Sequence, residues 1–179
     1  MRPRLALLAM VLALAGCAGA EGTPTPTTTP SGDPFERPQG DPATGAVVGI
    51  GEGTAFETGW RYAMYPTEDG WCAQIDVDDA IDSRCDDVLP GEGEVLGSVG
   101  VRTADSSGAT VVDVMATTEV ATVWLVSGPT ARIPATGMPP PDGVEGQAWV
   151  GVMPEDAPVT HVQAVGFNGQ VLDTVDLRE

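Results

Sequence analysis

The sequence predicts an all-β domain: an antiparallel β-sandwich of immunoglobulin-like general architecture, with a partly open β-barrel as the alternative. Three observations predict it. No long segment repeats apolar residues at i, i+3, i+4 and i+7, so amphipathic helices are not indicated. Short runs with apolar residues at every second position recur from residue 46 onward. Turn signals punctuate them in a chain with 23 glycines and 16 prolines.

Candidate strands lie at 46–57, 59–65, 71–77, 94–103, 109–116, 119–127, 129–134, 146–153, 159–167 and 170–177. Asp69-Gly70, Pro90-Gly91, Ser107-Gly108, Gly128-Pro129, Pro139 to Gly143, Pro154 and Asn168-Gly169 separate them. Asn168-Gly169 is the preferred dipeptide of a two-residue hairpin loop. That register pairs Phe167 with Gln170 and sets His161 opposite Asp176. Val162, Ala164, Val171 and Val175 then share a core face. Val165, Phe167 and Leu172 fall on the other, with His161, Gln163, Thr174 and Asp176. A two-residue loop at Asp69-Gly70 sets Thr67 opposite Cys72 and Arg61 opposite Asp78 as an exposed ion pair. Tyr62, Met64, Ile75 and Val77 form its apolar face, and Cys72 points away from them.

Charge narrows the function classes. The chain has 26 acidic residues against 8 basic ones, a formal charge of −18, and no lysine. Phosphate backbones are bound by clustered Lys and Arg, so nucleic-acid binding is not expected. Docking on anionic headgroups is excluded on the same ground. Apolar content of 42% is enough for one core.

The N-terminus carries an address. Arg2 and Arg4 precede an unbroken apolar run, Leu5 to Ala15. The run is well short of the roughly 20 residues of a membrane-spanning helix. It reads as a secretory signal. Its end, Leu14-Ala15-Gly16-Cys17, resembles the lipobox of bacterial lipoproteins. The resemblance implies cleavage before Cys17, a lipid on Cys17, and a place on the outer face of the cell membrane. Loss of residues 1–16 removes Arg2 and Arg4 and no acid, which moves the formal charge from −18 to −20.

Three cysteines are odd for an exported chain. With Cys17 lipidated, Cys72 and Cys85 remain as a pair for a disulfide. A metal site is the other use for two cysteines, but it needs more ligands, and His161 is the only histidine. Residues 17–45 read as the lipidated cysteine and a disordered linker. Thr23 to Ser31 is a Thr/Pro run, and Pro34, Pro38 and Pro42 continue it. The folded domain is expected over 46–179.

Trp71-Cys72, Cys85, the run Val120 to Pro134 and the closing Val162 to Leu172 resemble secreted or lipid-anchored all-β proteins of high-GC actinobacteria. That family carries no assigned activity. The resemblance therefore implies fold and address and adds no catalytic residue.

Chemistry is sparse. No G-x-S-x-G surrounds a serine, and Gly97-Ser98-Val99-Gly100 has the wrong spacing for a nucleophile elbow. His161 is expected to be a surface residue. Asp76, Asp78, Asp79, Asp82, Asp86 and Asp87 gather six carboxylates around Cys85. They read as a solvated acidic loop, with calcium as the sharper alternative. The EF-hand spacing fails, because Ile81 stands where glycine is required. Two acids could serve a glycosidase, but acids this common do not point to one. Gly51-Glu52-Gly53 and Gly91-Glu92-Gly93 have no following Lys and do not read as phosphate loops. Trp60 and Trp71 read as core packing, or else as a platform for a sugar or protein, and Trp124 as at least partly buried. The expectation is thus a membrane-anchored envelope lipoprotein with a non-catalytic binding domain for an envelope protein. A small-ligand, sugar or calcium module is the alternative. No cofactor, metal or catalytic residue is expected.

Overall fold

The computed structural model describes residues 33–178. Cys17, the apolar run and the Thr/Pro run lie outside the described residues. Twelve strands follow one short 3-10 turn, Pro34–Glu36. They are β1 (Val48–Ala55), β2 (Thr58–Pro66), β3 (Trp71–Val77), β4 (Ala80–Arg84), β5 (Gly100–Thr103), β6 (Thr110–Ala116), β7 (Val120–Ser127), β8 (Ala131–Pro134), β9 (Thr136–Met138), β10 (Gln147–Met153), β11 (His161–Gly166) and β12 (Val171–Asp176). All pairings are antiparallel. They form three four-stranded sheets, ordered β1-β2-β3-β4, β5-β6-β10-β9 and β12-β11-β7-β8.

The expected antiparallel β-sandwich is present, with three sheets in place of the two of an immunoglobulin-like pair. The cause lies in β6 and β10. Every residue of Val111–Ala116 and Ala148–Met153 is buried. Val111, Met115, Val150 and Val152 face one core with Tyr62, Met64, Ile75 and Val77 of the first sheet. Val112, Val114, Trp149 and Met153 face a second core with Val123, Leu125, Val162 and Ala164 of the third. A strand apolar on both faces needs cover on both sides, so this sheet is the middle layer.

Two strands were not expected. β4 falls in the acidic stretch, and β9 is only three residues long. The chain reaches β9 by leaving the third sheet at Ala135, whose N–H donates to the Val123 carbonyl at 2.8 Å.

Both hairpins shift locally. His161 pairs with Asp176 and Val162 with Val175, as expected. The loop, however, holds three residues, since the Gly166 N–H donates to the Gln170 carbonyl. Gly169 sits at φ +80, the left-handed position that such a loop gives to glycine. A bulge then pairs Val165 with Val171 and leaves Leu172 over. One extra residue exchanges faces. Leu172 packs on the second core, and Val171 becomes exposed. At β2–β3 the Thr67 N–H donates to the Gly70 carbonyl, so the two loop residues are Glu68 and Asp69, Tyr65 faces Cys72, and Arg61 faces Asp76 rather than Asp78. A shift of two keeps parity, and Tyr62, Met64, Ile75 and Val77 stay on the core side.

Cys72 and Cys85 form a disulfide. They are 13 residues apart, and closing a loop of that size stabilises by about 3 kcal/mol in the chain-entropy account. The bridge joins β3 to the chain just past β4. Residues 33–45, expected to be linker, lie against the same outer face. Phe35 is buried, and the Gln74 amide donates to its carbonyl. Gly40 N–H donates to the Tyr65 hydroxyl at 2.8 Å, and Thr44 N–H to the Pro66 carbonyl at 2.8 Å. The apolar Phe35 covers strand surface that would otherwise meet water.

Candidate functional site

The acid-rich stretch folds as the β3–β4 hairpin, not as a loop. Asp78 and Asp79 form its two-residue turn, at φ 53 and 62, with Val77 paired to Ala80. Aspartate tolerates this left-handed region better than most residues. The hairpin separates the six carboxylates. Asp76 is 4% exposed and pairs with Arg61. Asp78 accepts from the Ser106 N–H at 3.0 Å and its hydroxyl at 2.6 Å, which holds its pKa below the usual value. Asp82 pairs with Arg102 at 2.9 Å. The carbonyls of Asp86 and Asp87 accept from Ser98. Among the described residues, the one cluster with metal-ligand spacing is Asp41 with Cys72 and Cys85, and both sulfurs are committed to the disulfide.

Arg61 fastens residues 33–45 to the first sheet. It pairs with Asp33 and Asp76 and stacks on the Phe35 ring at 4.7 Å. Hydrogen bonds from Arg61, then from the Phe35 N–H, hold the Asp33 carboxyl below its ordinary 3.8. The two carboxylates in turn raise the guanidinium. The folded Asp33 value is depressed, so its contribution is full above pH 3.8 and fades as pH falls through the folded value. Acidification below about pH 4 therefore loosens this segment first. Hydrogen exchange at the Gly40 and Thr44 amides should rise there before exchange in β6 and β10. Unchanged protection at those two amides would remove Asp33 from the fastening.

A second ion pair crosses between sheets. Arg84 at the end of β4 meets Asp113 of β6 at 2.8 Å, and Asp113 is 5% exposed. Gly100 leaves room for it, since a Cβ there would stand 2.0 Å from Arg84 Nη1 and 2.1 Å from Asp113 Oδ1. Tyr62 is buried beside this pair; burial first, then the Asp113 charge, pushes its phenol far above the ordinary value.

The remaining candidates are dispersed. His161 is half-buried on β11, with Nδ1 3.0 Å from the Thr160 hydroxyl and Asp176 opposite. Trp60 and Trp149 are buried in the first and second cores, and Trp71 packs against the first. Trp60 and Trp71 thus make no exposed platform. Trp124 is half-buried beneath Arg132, at 4.7 Å.

Among the described residues the exposed large apolar side chains are Val48, Phe56, Val101, Phe167 and Val171, and the two most exposed belong to the β11–β12 hairpin. Phe167 is 81% exposed and Val171 54% exposed. The alternation placed Phe167 off the core face but did not mark the tip as a site. Its signal was local: a phenylalanine directly before Asn-Gly has no facing layer to bury it. The bulge that turned Val171 outward had no such signal. Next to this tip, β12 is the edge strand of its sheet. Residues 87–99 run beside it and enclose a groove of about 740 Å³.

Comparison of the chain with protein-family models, curated protein sequences and solved structures finds no match.

Proposed function

We propose that this chain is a lipoprotein held at the outer face of the cell membrane through a lipid on Cys17, and that its β-sandwich is a non-catalytic binding domain for an envelope protein. One observation carries the binding reading: the β11–β12 tip presents Phe167, 81% exposed, beside Val171, 54% exposed. Both cores are filled without them. An aromatic left in water on a turn is a recurrent anchor of protein interfaces, because burying it on a partner gains apolar area. The lipobox-like Leu14-Ala15-Gly16-Cys17 supports the address. The calcium alternative lacks support in the geometry, because the six carboxylates are divided among Arg61, Ser106, Arg102 and solvent.

Affinity capture from detergent-solubilised membranes of the source cells tests the reading. The native chain retains one dominant envelope protein. Phe167→Asp leaves folding intact, because the side chain touches neither core, and lowers retention by at least about tenfold, the loss expected of an interface anchor. Equal retention by both chains would overturn the tip as the binding site.

A further inference from the structure

Alongside its tip, β12 is an edge strand bordered by a groove. We infer that the groove between β12 and residues 87–99 takes an extended segment of alternating basic and apolar residues, added to β12 as a new strand. This inference rests on the binding reading above and names the chemistry of the partner segment.

Three features carry it. First, β12 has an open backbone edge. The Leu177 N–H donates to the Thr160 carbonyl, so beyond the bulge the odd-numbered residues, Asp173 and Val175, bond inward to β11. Even-numbered ones, Thr174 among them, point away. The Thr174 N–H donates to its neighbour Asp173 Oδ1 at 2.7 Å. Second, the groove has an apolar floor and an acidic rim. Val95, Val99, Leu172 and Val175 are part-buried against the second core. Asp87, Glu94 and Asp173 stand around them. Third, the facing wall is fixed. Gly97 N–H donates to the Met115 carbonyl at 2.9 Å, and Ser98 N–H to the Asp87 carbonyl at 2.7 Å. A Cβ on Gly97 would stand 2.1 Å from the Val88 carbonyl oxygen, so this path admits only glycine. A rigid wall loses little entropy on binding.

The chemistry of the occupant follows. An incoming carbonyl takes the Thr174 N–H and releases Asp173. The freed carboxylate, with Asp87 and Glu94, then meets ammonium or guanidinium groups on alternate residues. The intervening apolar residues cover the floor, and the strand passes Phe167 and Val171 at the tip. Backbone bonds supply affinity and the alternate side chains supply specificity. A chain of formal charge −18 repels an acidic segment at the same edge.

The probe is a short capped peptide of alternating lysine and valine, titrated against the full chain in detergent. Binding is expected to slow hydrogen exchange at the Thr174 and Asp176 amides and to weaken with added salt. The glutamate–valine peptide should not bind. Thr174→Pro removes an outward donor that β11 does not use, and should weaken binding about tenfold. Should that variant fail to fold, Asp173→Lys gives the same test through charge. Absence of lysine–valine binding, equal binding of the glutamate–valine peptide, or protection elsewhere than β12 would overturn the inference. Failure of the peptide together with Phe167-dependent capture overturns strand addition alone. Peptide binding without such capture overturns the tip and leaves the groove standing.

Discussion

Replacing Arg84 by alanine should lower the folding stability by about 3–5 kcal/mol, the cost of leaving a buried carboxylate without its partner. Asp113 lies between the first and middle sheets, 5% exposed, and Arg84 at 2.8 Å is its salt-bridge partner. Domains of this kind are stable by about 5–15 kcal/mol, so the loss is a large share of the total. The cause is separable. Arg84→Met combined with Asp113→Leu removes both charges and fills the space, and should recover most of the stability, because apolar replacement of a whole buried pair is close to neutral. Denaturant midpoints of the three chains decide it. A loss under about 1 kcal/mol for Arg84→Ala would place that ion pair with weak surface pairs.

The second large effect concerns location. Cys17→Ala should release the protein completely from membranes to the soluble fraction. The apolar run from Leu5 to Ala15 ends at the lipobox-like Leu14-Ala15-Gly16-Cys17, where we propose that the chain is cut. Once it is removed, the lipid on Cys17 is the proposed anchor. Among the described residues no helix is long and apolar enough to cross a membrane. Nor does the chain's charge adhere to anionic headgroups. Fractionation of cells making the variant is the check. Continued membrane retention of Cys17→Ala would contradict the lipid anchor.

Much of the fold was legible because half-buried strands alternate. Ten expected strands correspond to observed ones, and the expected His161–Asp176 pairing is present because the one-residue bulge at Leu172 offsets the three-residue loop. The third layer had a signal that alternation alone did not use. Val111-Val112-Asp113-Val114-Met115-Ala116 is apolar at both parities, and a strand buried on both faces reads this way. Ala80–Arg84 escaped notice because an edge strand half exposed to water carries Asp, Ser and Arg as readily as a loop does. Phe35 was hidden by its neighbours, a lone aromatic in a Pro-rich stretch, yet Asp33 before Pro34 is a local start signal for the turn that presents it. The face of Val171 was not legible. It depends on a one-residue bulge, and loop length is not encoded by apolar pattern.

The candidate surface was legible in part. Cysteine number paired Cys72 with Cys85. The acidic stretch misled because carboxylates near in sequence are sent to different partners when they fall on a hairpin. The groove beside β12 joins residues 87–99 to 172–175, a juxtaposition that only the third layer creates.

The most direct measurement places a photo-crosslinking residue at position 167 of the membrane-held protein in living cells, with the same residue at exposed Glu68 as control. One dominant envelope protein is expected to be joined to position 167 and absent from position 68. No adduct above the control, or the same adducts from both positions, would contradict a binding domain acting through the β11–β12 tip.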